Sequence, residues 1–581
     1  LPDLSSETSP DTPELKNPVA ARAAAMDAML HVWQSRFTGG KSPSTVALAF
    51  LDWTAHAANA PFRTAAVGRT ALTQWQRLGA AMLGGAPVIA PKPDDRRFDN
   101  PAWSRKPFNL LVQSVLLGEA FWEHVIDSPG GVDRHNRRIV NFQLRQWLDM
   151  MSPSNIPWAN PEVIDATRAT GGQNLLAGWE NFRRDQAGRH SAAAATAGFV
   201  VGGNLAATPG GVVFRNALME LIQYTPTTAT VAAEPVLIVP AWIMKYYILD
   251  LSQGNSLVRW LVAQGHTVFM ISWRNPDAAM RDTSLDDYRD QGVMAAIGAV
   301  QDICGPARIH AAGYCLGGTL LSIAAAAMAG VDDNRLASLS LFAAQTDFTE
   351  AGELQLFITE DQLDFLNDIM QSQGYLDSAQ MAGAFQMLQS NDLIWSHAIH
   401  DYLLGGHDTP NDLMAWNADG TRLPARMHIE YLRQLFLNND LAEGRFEVAG
   451  RTLAMGDVSL PVFLVGTERD HIAPWRSVYK LFHLNNGEIT FVLTSGGHNA
   501  GIVSEPGHPR RHFRLRTRPA GGHTPGPAEW QRATAPQDGS WWVAWAAWLA
   551  AQTPARPARQ VPPPKMGKAL APAPGAYVRA S

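Results

Sequence analysis

An α/β fold, with a helical insertion and a mostly helical N-terminal region, is predicted by three features of the sequence. Beyond about residue 198, short apolar runs bounded by Gly, Pro and Asn alternate with helical stretches, the pattern of a sheet buried on both faces. After Ala343 that alternation is interrupted by more than a hundred residues of helical pattern, too long for a structureless loop in a compact domain. Before residue 198, segments rich in Ala, Leu and Trp carry helical periodicity and no catalytic constellation.

In chain order, residues 1–18 read as a disordered leader and 19–197 as a mostly helical domain. Within it, Asn100-Pro101 offers a cap and a helix-compatible proline. Phe108 to Ile126 then sets Leu110, Leu111, Val115, Leu116 and Phe121 near one helical face, and a later helix ends at Ser152-Pro153. The catalytic core is assigned to 198–346 and 456–551, with strands at Val212 to Arg215, Val236 to Val239, Thr267 to Trp273, Arg308 to Ala312, Leu336 to Ala343, Val462 to Gly466 and Ile489 to Thr494. Residues 347–455 form the helical cap, with aromatics including Phe348, Phe357, Phe365, Trp416, Tyr431 and Phe436. Exposed aromatics such as Trp416 would suit a mobile lid that docks on a partner; the alternative is that they form the cap's own core. The Pro/Ala-rich tail, 552–581, follows a tryptophan-dense segment and is expected to lie along a surface or to be flexible.

Composition narrows the function. Of 581 residues, 46% are hydrophobic and 17% charged, which excludes wholesale disorder and fibrous architectures. The net charge of −6, without long runs of one sign, excludes a nucleic-acid-binding face. Two cysteines, Cys304 and Cys315, build no disulfide framework, and neither sits in a metal-ligand cluster, so a reducing cytoplasm fits and no metal or cofactor is called for. No apolar run reaches the ~20 residues of a membrane helix.

The most informative stretch is Arg308-Ile-His-Ala-Ala-Gly-Tyr-Cys-Leu-Gly-Gly-Thr319, leading into helix formers. Gly313 and Gly317 flank Cys315 at the spacing of the G-x-S-x-G nucleophile elbow of α/β-hydrolase cores, with Cys in place of Ser. Such an elbow puts a surface-accessible thiol at a helix N-terminus, where unpaired N–H groups favour thiolate. Cys304 lacks that context and reads as structural. In this fold a triad runs nucleophile, acid, histidine. Asp470 follows the strand Val462 to Gly466, and His498 sits in Ser495-Gly-Gly-His-Asn-Ala-Gly501 after the next strand. Asp470 also fits an N-cap before Pro474, Asp347 is a rival acid, and His471 is a neighbour without that loop. Oxyanion donors are assigned to the amides of Leu316, after the nucleophile, and Ile243, in the loop after Val239.

Taken together, these segments resemble the polyhydroxyalkanoate synthases, which polymerise 3-hydroxyacyl-CoA thioesters into storage polyester. The resemblance rests on Trp147-Leu-Asp-Met-Met-Ser-Pro-Ser-Asn155, Pro240-Ala-Trp-Ile-Met-Lys-Tyr-Tyr-Ile-Leu-Asp250, Phe269-Met-Ile-Ser-Trp-Arg-Asn-Pro276 and the Cys315 elbow. It continues through Trp416-Asn-Ala-Asp419, Asp470-His-Ile-Ala-Pro-Trp475, the His498 loop and Pro572-Ala-Pro-Gly-Ala-Tyr577. It implies a single-subunit enzyme of class I, taking short 3-hydroxyacyl groups, with the medium-chain class II as the close alternative. It also implies a homodimer formed through the cap and attachment to the polymer granule. Met244 stands where members often carry Asn, and Asn499 where an apolar residue often follows the histidine. A Cys-dependent thioesterase or polyester depolymerase, and a non-catalytic granule-binding paralogue, are the competing readings.

Overall fold

In the computed structural model the described residues are 41–82, 87–92, 95–186, 198–381, 394–406, 409–552 and 560–580, with scattered positions between 26 and 34. The expected leader over 1–18 falls outside them. Among the described residues the central sheet has eleven strands: β1 Gly210–Arg215, β2 Met219–Tyr224, β3 Val236–Val239, β4 Val268–Trp273, β5 Ile309–Tyr314, β6 Leu336–Phe342, β7 Val462–Thr467, β8 Ile489–Thr494, β9 His512–Arg518, β10 Gln537–Asp538 and β11 Ala571–Pro572. Their spatial order is β10-β9-β8-β7-β6-β5-β3-β4-β2-β1-β11. The six strands from β8 to β4 run parallel, with Val236 opposite both Val268 and His310, and Val462 opposite both Leu339 and Ile489. The outer strands pair antiparallel. The parallel strands are mostly apolar and buried at every position, as helices on both faces require, and the polar His310 of β5 and Ser338 of β6 pair with each other at 2.7 Å. Because these strands share one direction, the segments after β3, β5, β6, β7 and β8 all emerge at the same edge.

Four strands of this sheet, β2, β9, β10 and β11, are absent from the sequence-based expectation. β2, Met-Glu-Leu-Ile-Gln-Tyr, is buried at every position although it carries Glu220 and Gln223. The tail and the neighbouring strand β1 supply their partners. Glu220 Oε2 accepts the amides of Ala576 (2.9 Å) and Tyr577 (3.0 Å), its Oε1 accepts Arg215 Nε (2.7 Å), and Gln223 Oε1 accepts the amide of Gly567 (2.9 Å). The described tail residues 560–580 are thus fastened to the sheet through β11 and these bonds, with Val578 buried. β9, His-Phe-Arg-Leu-Arg-Thr-Arg, has no apolar run; Arg518 at its end is held by the carbonyls of Phe482 (2.8 Å), Asn485 (2.6 Å) and Gly487 (2.7 Å).

The N-terminal helices pack against the cap. Phe142 of helix Arg134–Met150 meets Phe357 edge-on at 5.1 Å, and Thr45 Oγ1 donates to Asp361 at 2.8 Å. Asn181 Nδ2 donates to the carbonyls of Asp401 and Gly406, both at 2.9 Å. Helix Phe108–Asp127 matches the expected helix within one residue. Among the described residues no helix is long and apolar enough to cross a membrane.

The tryptophan-dense segment forms the helix Trp541–Gln552, packed against β6 and the loop after β8. Trp541 Nε1 donates to Gly501 O (3.1 Å), Trp542 Nε1 to Ile502 O (2.9 Å) and Trp545 Nε1 to Ser340 Oγ (2.9 Å). All three rings are buried. Trp541→Ala should therefore cost about 3–5 kcal/mol, from the cavity left behind and the orphaned Gly501 carbonyl. Urea denaturation checks this; a midpoint unchanged from the parent would refute the packing role.

Candidate active site

β5 delivers Tyr314 to the elbow, and Cys315 follows at φ 53° and ψ −127°. This is a left-handed conformation that costs a non-glycine residue about 1–3 kcal/mol. The Cys315 amide donates to Phe342 O at the end of β6 (2.9 Å), and the helix Leu316–Ala329 begins at once. A Cβ on Gly313 would collide with the Gly318 backbone, and one on Gly317 with the carbonyls of Val239 and Pro240. Glycine is therefore required at both positions, and the close approach at Gly317 presses the elbow against the loop that carries Ile243.

His498 lies on the adjoining loop. Beyond β7 and β8 the ladder continues, with the amide of Glu468 donating to Thr494 O and that of Arg469 to Gly496 O, both at 2.9 Å. This zipper sets Asp470 beside the histidine, and His498 Nδ1 lies 2.8 Å from Asp470 Oδ2. Oδ2 also accepts Thr467 Oγ1 (2.9 Å), while Oδ1 accepts the amides of Ile472 (2.9 Å) and Ala473 (2.8 Å). Asp470 therefore both caps the local turn and faces the imidazole. Burial would raise its carboxyl, but the charge of His498 and these hydrogen bonds hold it below the usual carboxylate range. Burial would lower His498, yet the Asp470 carboxylate and the charge and hydrogen bond of Cys315 drive it well above an ordinary imidazole. The imidazole thus bonds the Asp470 carboxylate and lies within electrostatic reach of the Cys315 sulfur.

The rivals lie elsewhere. Asp347 accepts the amide (2.8 Å) and hydroxyl (2.5 Å) of Thr349 and stands 3.8 Å from Lys480 Nζ. Cys304 closes the helix Ala295–Cys304, where burial pushes its thiol up to about 12, leaving it protonated at neutral pH. A groove of about 780 Å³ that includes Asp347 contains none of Cys315, Asp470 or His498; its Arg476, Lys480 and Arg532 are offset by Asp347, Glu350 and Glu529.

Two expectations are corrected. Cys315 is 7% exposed rather than at an accessible surface. Tyr431, from the cap helix Ala425–Tyr431, comes within electrostatic reach of the sulfur. Trp416 is 3% exposed instead of presented to a partner; its Nε1 donates to Lys245 O (2.8 Å). Phe348, Phe357, Phe365, Tyr431 and Phe436 are buried as well, so these cap aromatics pack inward. The local pattern of the cap could not separate those outcomes, because helical periodicity shows that a face is apolar without showing what covers it.

The amide of Leu316 opens its helix and has no intrahelical partner. The Ile243 loop is tied to the cap through its carbonyls: Thr421 Oγ1 donates to Trp242 O (2.6 Å) and the Thr421 amide to Ile243 O (3.4 Å). Three residues at the site carry no role in the sequence reading: Thr467, Tyr431 and Tyr314. Thr467 was signalled by its spacing, three residues before Asp470, and Tyr314 by its place immediately before the nucleophile. Among the described residues no group of three or more His, Cys, Asp or Glu side chains is placed to hold a metal ion.

Residues 21–63 match the model of the poly-beta-hydroxybutyrate polymerase N terminal, residues 94–261 that of the poly-beta-hydroxybutyrate polymerase N-terminus, and residues 234–505 the alpha/beta hydrolase fold. The chain is 42% identical over 524 residues to a poly(3-hydroxyalkanoate) polymerase of Methylorubrum extorquens, covering 88% of this chain and 86% of that protein. It is 37% identical to a Rhizobium meliloti poly(3-hydroxyalkanoate) polymerase subunit, with 87% and 83% covered. A Cupriavidus necator subunit of the same description is 34% identical, with 94% and 93% covered.

Proposed function

The chain belongs to the poly(3-hydroxyalkanoate) polymerase family, and we propose that it polymerises (R)-3-hydroxyacyl groups from CoA thioesters through an acyl thioester on Cys315. It is an acyltransferase of the α/β-hydrolase fold. The observation that carries the mechanism is the imidazole of His498 between Asp470 and Cys315.

In the first step the Cys315 thiolate attacks the substrate thioester carbon, and the amides of Leu316 and Ile243 receive the developing oxyanion. The C–S bond to CoA breaks, and CoA leaves as a thiol with the proton held by His498 Nε2. One thioester replaces another, so the acyl group remains activated. In the second step His498 Nε2 removes the proton from the 3-hydroxyl of another acyl unit. The oxygen attacks the Cys315 thioester, an ester forms, and the Cys315 thiolate is released. Asp470 holds Nδ1–H throughout and stabilises the imidazolium.

Transfer to an alcohol must outrun hydrolysis by water at about 55 M, which requires a positioned hydroxyl and a site that excludes water. The burial of Cys315 favours polymerase over thioesterase or depolymerase chemistry. Short 3-hydroxyacyl groups are the expected substrates, with 3-hydroxybutyryl-CoA preferred to medium-chain esters. The protein is assigned to the cytoplasm, on the polymer granule. Exposed Trp147, Met151, Trp158 and Trp179 on the N-terminal region give it apolar surface suited to a polyester. The homodimer implied by the family would use cap surface other than the inward-facing aromatics.

The test follows both products from (R)-3-hydroxybutyryl-CoA. CoA release should match acyl groups recovered as polymer. Recovery as free 3-hydroxybutyrate would establish the thioesterase reading, and absence of CoA release the non-catalytic one.

A further inference from the structure

We propose that Tyr314 and Asn499 act as a single positioning pair that holds the His498 imidazole in line between Asp470 and Cys315. Tyr314 is the last residue of β5 and the immediate neighbour of Cys315; Asn499 is the immediate neighbour of His498. The Tyr314 ring lies against the imidazole, with centroids 5.5 Å apart and planes at 37°. Its hydroxyl donates to Asn499 Oδ1 at 2.6 Å. One side chain thus touches both the histidine ring and the residue beside it, and is joined by one peptide unit to the nucleophile.

The need for such a holder follows from the geometry. The bond from His498 Nδ1 to Asp470 fixes one atom of the ring, which leaves the ring plane to be set by packing. A flat neighbour on one face sets that plane, and the buried phenol is itself anchored because its hydroxyl has a partner. The other end of the device is rigid too, since the strained Cys315 backbone and the hydrogen bond from its N–H to Phe342 O fix where Tyr314 leaves the sheet. Burial, with the charges of Cys315 and Asp470 adding to it, pushes the Tyr314 phenol well above its ordinary value. It therefore remains a neutral donor throughout the working pH range. The amide oxygen of Asn499 supplies the acceptor that a buried tyrosine hydroxyl requires.

This inference rests on the reading of Cys315 and His498 as nucleophile and base. Its experiment is a double-mutant cycle of Tyr314→Phe and Asn499→Leu, measuring kcat and KM for CoA release from 3-hydroxybutyryl-CoA. Tyr314→Phe keeps the ring and its volume, so folding is preserved. Each single change should lower kcat about tenfold with KM within about twofold, and the double variant should lose no more than the worse single, because the two side chains share one interaction. Parental kcat in both single variants, or losses that multiply in the double variant, would overturn the pair. Cys315→Ala and His498→Ala controls separate the two failures. Polymerisation surviving in these controls removes the underlying reading, whereas an enzyme that needs both residues yet ignores Tyr314→Phe and Asn499→Leu refutes the pairing alone.

Discussion

Cys315→Ala is expected to form no acyl-enzyme, and to lower CoA release from 3-hydroxybutyryl-CoA by at least about four orders of magnitude. The reason is chemical: the elbow places one sulfur at the opening of helix Leu316–Ala329, next to the imidazole of His498. No other cysteine can substitute, since Cys304 is held protonated by burial in another part of the core. Removing one sulfur from a small buried side chain should leave stability within about 1 kcal/mol of the parent. Cys304→Ala should be nearly silent in activity. Mass spectrometry of the intact protein after exposure to substrate gives the decisive reading, as an acyl adduct should appear on the parent and on Cys304→Ala but be absent from Cys315→Ala. Continued polymerisation by Cys315→Ala would sink the covalent mechanism.

Asp470→Asn is expected to lower kcat about a thousandfold or more, against a change within about threefold for Asp347→Asn. An asparagine at 470 keeps an oxygen that can accept the amides of Ile472 and Ala473, so the turn is retained. What it loses is the carboxylate that opposes the effect of burial on His498 and holds the imidazole's charge. An amide nitrogen facing Nδ1 also favours the wrong tautomer. Asp347 lies against Thr349 and Lys480, where the same change removes a partly exposed ion pair of little energetic weight. His498→Ala should be more severe than Asp470→Asn. Equal and mild losses in the two aspartate variants would mean that the acid has been misassigned.

Local pattern was sufficient where the physics is local. Largely apolar runs of four to eight residues marked β3 through β8, because a strand covered on both faces is built mostly from side chains that can be buried. Glycines at 313 and 317 marked the elbow because no side chain fits where those backbones meet their neighbours. The candidate acid and histidine were located by chain order and by their places after consecutive strands, an ordering that parallel β7 and β8 convert into proximity.

The remainder depended on partners far away in the chain. β2 could not be recognised because Glu220 and Gln223 look like surface residues until the tail, some 350 positions later, provides the amides that pair with them. The burial of Cys315 and the inward turn of Trp416, whose indole donates to Lys245 O 171 positions away, depend on segments distant in the chain. Tyr314 and Asn499 are separated by 185 positions, and their 2.6 Å contact exists only because β5 and the loop after β8 end at the same edge. The sequence by itself determined the α/β class, the elbow and the chemical type of each candidate group. Tertiary structure decided which polar groups are satisfied and which surfaces are closed, because a buried polar or apolar group is stable only against a matching partner that its neighbours in the chain do not supply.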